Sequence, residues 1–117
     1  MGYRGHGAVE TWINFNGRGT IAIRDSHNIS SIQDNDTGNY RVTFTTSYAN
    51  NDYCFLGCGK EDNYWTGADD QAGRGETLVT PRRKDSCTSA GYVVIAGLLL
   101  GVELDLIDVY VAIIGDQ

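Results

Sequence analysis

Short runs of alternating apolar and polar residues, broken by Gly, Asn and Asp, recur along the whole chain. Period two marks half-buried strands, and neither a heptad nor a sustained 3.6-residue period is present. Residues 9–15 place Val9, Thr11, Ile13 and Phe15 on one face and Glu10, Trp12 and Asn14 on the other. Asn16-Gly17-Arg18 then reads as a tight turn, because Asn-Gly readily takes the positive φ angles of hairpins. Residues 20–24 return as a second strand with Ile21 and Ile23 inward, and residues 27–32 form a third. The polar run 33–38 closes that strand as a loop of turn-forming residues. In residues 40–46, Tyr40, Val42 and Phe44 share one face and Arg41, Thr43 and Thr45 the other, as in a half-buried antiparallel strand.

The second half is more apolar. Residues 53–58 carry apolar groups on both faces, as expected of a strand covered on both sides, and residues 77–80 predict a brief strand stopped by Pro81. Residues 92–96 and 109–114 are the most apolar strands, joined by residues 97–108. In the last strand Tyr110, Ala112 and Ile114 oppose Val109, Val111 and Ile113, so neither face is polar. A monomeric sandwich leaves one face of each strand wet. With Val111 and Ile113 in the core, Tyr110, Ala112 and Ile114 are left as an oligomer interface with a second copy. The expected fold is a small antiparallel β-sandwich, all-β, with residues 1–117 as one domain and residues 1–8 as an N-terminal arm.

Length and charge narrow the function. A chain of 117 residues holds one modest core. Its net charge of −6 argues against nucleic acid, whose backbone is bound by Lys and Arg displacing counterions. The longest uncharged stretch, residues 86–102, contains Ser, Thr and Gly and is followed by Glu103, Asp105 and Asp108, so membrane insertion is not expected. The first residues lack the apolar segment of a secretory signal, and free thiols in a reducing cytosol are the expectation for the three Cys. Cys54 and Cys58 cannot reach each other along an extended strand, so at most one of them pairs with Cys87.

Each chemical motif has a plainer account. Cys54, Cys58, Cys87 and His27 include zinc-ligand types, but the Cys-x3-Cys spacing lies within an apolar strand, and small buried thiols are expected instead of a metal. Asp34-x-Asp36-x-Gly38 begins like a calcium loop but lacks the distal Glu, so these residues are read as building the turn. Glu103, Asp105 and Asp108 read as a solvated loop, and Arg24-Asp25 as a charge pair locking the next turn. The Asn28 and Asn35 glycosylation patterns are chance matches in a chain without a signal sequence. His6 and His27 sit beside no nucleophile elbow, zinc-protease motif, phosphate loop or dinucleotide fingerprint. No catalytic residue and no cofactor is expected, and the chain is read as a non-enzyme.

The binding candidates lie in residues 59–75, the longest irregular segment. Tyr64 and Trp65 stand there among charged residues that include Asp69 and Asp70. Aromatic faces stack on sugar rings and anchor protein interfaces. The competing account folds the aromatic pair back over the core as a lid.

Residues 12–46 resemble a domain of tail-fibre-like virion proteins of aquatic phages, cyanophages especially. The resemblance rests on Asn14-Phe15-Asn16-Gly17, then Gly19-Thr20-Ile21-Ala22-Ile23-Arg24, then Asn28-Ile29-Ser30-Ser31-Ile32, and Phe44-Thr45-Thr46, in that order. The closing Val109-Tyr-Val-Ala-Ile-Ile-Gly115 is similar to the family's last strand. The match is weak over residues 50–106. The resemblance implies a non-enzymatic, surface-exposed virion component, trimeric, assembled in the host cytoplasm, with other tail or capsid proteins and a host surface glycan as partners. Two departures stand out: residues 1–8 leave no room for a shaft or coiled coil, and the family's Asn-Gly-Thr-Gly turn is Asn35-Asp36-Thr37-Gly38 here. Three readings follow: a tail-fibre-like attachment module, a capsid decoration protein, and a lectin-like glycan-binding module.

Overall fold

A computed structural model describes residues 10–60, 77–82, 89–99 and 101–116. Strands β1 (Thr11–Asn16), β2 (Ala22–His27), β3 (Ile29–Asp36), β4 (Asn39–Phe44) and β5 (Cys54–Lys60) are followed by β6 (Thr77–Pro81), β7 (Tyr92–Leu99), β8 (Val102–Glu103) and β9 (Asp108–Ile114). They form two antiparallel sheets packed face to face, and no helix occurs among the described residues. The first sheet has the order β2-β1-β9-β5 and the second β3-β4-β7-β6, with β8 paired to β7.

The core is filled by the inward residue set of each central strand. Thr11, Ile13 and Phe15 of β1 and Val109, Val111 and Ile113 of β9 meet Tyr40, Val42 and Phe44 of β4 and Val93 and Ile95 of β7. Phe15 packs edge-to-face on Tyr40 with ring centroids 5.1 Å apart, and Phe44 does the same with Tyr48, also at 5.1 Å. Such pairs add ~0.5–1.5 kcal/mol beyond the area they bury. The hydroxyls carried into the core have partners: those of Thr11 and Tyr48 bond each other, and that of Tyr40 lies 2.7 Å from the Gly17 carbonyl oxygen and 2.9 Å from Asp105 Oδ1.

Asn28 alone connects β2 to β3 and so moves the chain from one sheet to the other. It takes the left-handed conformation, with φ of 62°. Its side chain donates to Thr11 Oγ1 at 2.9 Å and to the Thr46 carbonyl at 3.1 Å, and accepts from the Thr46 N–H at 2.7 Å. The carboxamide of the first glycosylation pattern is thus spent on the crossover.

Several expectations for the peripheral strands are corrected. The second strand runs later than residues 20–24, and the positive φ of the preceding loop falls on Gly19, not on Asn16-Gly17. Ile21 packs against the core, but Ile23, although in register with Phe15, stays 38% exposed because β2 is the outermost strand. β3 extends through the polar run to Asp36, leaving a two-residue turn at Thr37-Gly38. An edge strand can be polar because its pairing with β4 needs only backbone groups. At that turn Asp36 Oδ1 accepts from the Thr37 N–H at 2.7 Å and Gly38 has φ of 64°, so Asp36 does build the turn.

β5 is the largest correction: its apolar residues are not covered on both sides. The inward positions are Phe55, Gly57 and Gly59, while Cys54, Leu56 and Cys58 are exposed. The two glycines let the second sheet come close, since a Cβ on Gly57 would stand 2.8 Å from the Val79 carbonyl oxygen. The thiols are therefore exposed and free, where buried ones were expected.

The acidic residues of the β7–β9 connection are partnered, not simply solvated. Glu103 accepts from Arg82 Nε at 2.8 Å, and Asp105 Oδ1 takes the Gly38 N–H at 2.7 Å as well as lying beside Tyr40. Asp108 pairs with Arg24 at 2.8 Å and Lys60 at 3.4 Å. Arg24 therefore reaches across the sheet instead of locking a turn with Asp25.

Candidate functional site

The outer face of the first sheet is the most distinctive surface among the described residues. Strand register decides its composition, because antiparallel partners project on the same side. Ala112 of β9 is flanked by Trp12 of β1 and Leu56 of β5, and in the next row Tyr110 is flanked by Asn14 and Cys58. Ile114 pairs with Cys54 beyond them. A depression of about 570 Å3 is lined by nine residues of these three strands, none of them charged. Leu56 is 54% exposed, and Trp12 and Tyr110 are each 37% exposed.

One end of this face is closed by a polar clamp that crosses all four strands. Arg24 Nη1 donates to Asn14 Oδ1 at 3.2 Å, Arg24 Nη2 donates to the Ile107 carbonyl at 2.9 Å, and Asp108 joins Arg24 to Lys60. An apolar centre with a charged margin is the anatomy of a protein contact surface.

Val111 and Ile113 enter the core, and Tyr110, Ala112 and Ile114 stand on the opposite side, at the positions expected from alternation. The structure surrounds them with Trp12, Asn14, Leu56 and Cys58, which sequence reasoning had not joined to the same face. Trp12 carried a signal, as a large aromatic between Glu10 and Asn14 on the polar side of β1. Leu56 carried none, since its strand is apolar on both sides.

Tyr64, Trp65, Asp69 and Asp70 lie outside the described residues, as do His6, Cys87 and residues 1–8. The flanks of their segment are held together: Thr77 Oγ1 donates to the Gly59 carbonyl at 2.9 Å. No cluster of three or more His, Cys, Asp or Glu suited to a metal ion occurs among the described residues. Tyr40 has its hydroxyl pKa raised well above the ordinary range, first by burial and then by its bond to Asp105, and it serves the core.

The second sheet also has an apolar area outside. Leu78 and Val102 are 53% and 67% exposed, and Leu78, Pro81, Ala96 and Leu98 line a depression of about 530 Å3 together with the paired Arg82 and Glu103. Comparisons with known protein families, with curated proteins and with solved structures find no match to this chain.

Proposed function

We propose that this chain is a non-enzymatic structural protein of a bacteriophage virion, a tail-fibre-like surface module that attaches to a host or to other virion proteins and acts as a homotrimer. The observation that carries the reading is the uncharged centre of the outer face of the first sheet, on which Tyr110 and Ala112 meet Trp12 and Leu56. An apolar area of this kind on a small soluble domain marks a place where another chain sits. The ordered motifs between residues 12 and 46 and the closing strand supply the virion context.

The apolar area around Leu78 and Val102 favours a second reading, a capsid decoration protein, because a decoration role needs a footing separate from the face used for assembly. Cryo-electron microscopy of intact particles tests both readings. Density for the sandwich on the tail or its fibres is expected, density on the capsid lattice supports decoration, and absence from purified particles refutes the proposal. Glycan arrays with the purified chain test a lectin-like role, which requires saturable binding to a defined sugar.

A further inference from the structure

Across the outer face of the first sheet, large and small side chains alternate. Trp12 and Leu56 stand on either side of Ala112, so two bulky apolar groups flank a methyl group. We infer that this face receives a second copy of this chain, centred on Trp12, Ala112 and Leu56 and not on β9 alone. The inference rests on the assembly reading above and names the partner of that surface.

Charge selects the partner. The chain carries 15 acidic against 9 basic residues, so copies repel over most of their surface and least where neither brings a charge. The nine residues lining the depression bring none. A basic partner finds no carboxylate among them. A glycan finds three polar side chains, Asn14, whose Oδ1 already accepts from Arg24, the Tyr110 hydroxyl and the Trp12 N–H, few for a ligand dense in hydroxyl groups. An identical face fits by shape, because the protruding Leu56 or Trp12 of one copy can seat over Ala112 of the other.

The footprint sets the strength. Three strands at ~4.8 Å spacing and five residues at ~3.4 Å give a flat centre of roughly 240 Å2. A stable interface buries ~800 Å2 per partner, so this centre by itself makes a weak contact.

Sedimentation equilibrium of the purified full chain in reductant, from about 1 to about 200 μM, is the test. The mass is expected to rise from 12.8 kDa towards twice that value. Leu56→Asp, at a residue exposed enough to leave the fold intact, is expected to raise the half-association concentration at least about 100-fold. Leu78→Asp on the other sheet is expected to leave it unchanged. Alkylation of Cys58, mapped by mass spectrometry, should slow with concentration in the wild type and not in Leu56→Asp. A wild type that stays monomeric throughout overturns the inference, as does a Leu56→Asp chain with native circular dichroism that associates like the wild type. A trimer supports the proposed function and overturns the pairing of identical faces, which closes at two copies. A dimer supports the face while refuting the trimer, and absence from virions refutes the proposed function alone.

Discussion

Tyr40→Phe tests the central polar link of the fold. The ring is fully buried, and its hydroxyl stands between the Gly17 carbonyl and Asp105, whose carboxylate also holds the Gly38 N–H. Removing the oxygen leaves the ring packing intact but takes a partner from Gly17 and Asp105. Leaving a buried polar group without its partner costs about 1–3 kcal/mol at pH 7. In a domain near this size that is a fall of roughly 5–15 °C in Tm. The pH dependence gives a sharper check. Burial, then the bond to Asp105, raises the folded-state pKa of Tyr40 above its ordinary value of 10.0. Above that value the unfolded chain releases the proton while the folded chain keeps it, so this group's stabilisation is complete below pH 10 and declines as pH rises further. At pH 11 the decline from this one group is about 1.4 kcal/mol, and the Phe variant lacks it. Urea unfolding of both proteins, followed by far-ultraviolet circular dichroism in reductant at pH 7 and pH 11, should therefore show the stability gap narrowing by about that amount. The other tyrosines are common to both proteins and cancel in the difference. A gap that stays constant or widens with pH refutes the reasoning.

Asn28→Gly and Asn28→Ala should separate side-chain bonding from backbone strain: both lose the bonds to Thr11 and Thr46, but Ala also bears ~1–2 kcal/mol of left-handed strain, so Tm should fall in the order wild type, Gly, Ala. An Ala variant as stable as the Gly variant contradicts that account. Gly57→Ala should cost about 1–3 kcal/mol, because its Cβ would meet the Val79 carbonyl oxygen and the Phe55 ring; an unchanged urea midpoint removes the close approach as an explanation. Alanine at both Tyr64 and Trp65 should lower binding to host cells with Tm nearly constant; loss of ~3–5 kcal/mol of stability, with binding per folded molecule unchanged, assigns the pair to the core instead.

Period-two alternation is a local property of a pleated chain, and it determined the all-β class and the inward residues of the central strands. Thr11, Ile13 and Phe15, then Tyr40, Val42 and Phe44, then Val109, Val111 and Ile113 were all legible, because a strand wet on one side must separate its apolar and polar residues. The same logic placed Tyr110, Ala112 and Ile114 on the opposite face of β9. It failed at β5 and at the edges. Phe55 to Cys58 looks coverable on both sides, but which side is covered depends on the second sheet closing over Gly57 and Gly59, a contact made between residues distant in sequence. β3 runs through polar residues because β4 supplies its backbone partners. Asp105 and Asp108 looked solvated until folding brought Tyr40, Gly38, Arg24 and Lys60 beside them. The candidate face was legible only one strand at a time. Pairing register alone sets Trp12, Ala112 and Leu56 in one row, and register is a long-range property, fixed by which strands meet and by the core each must bury.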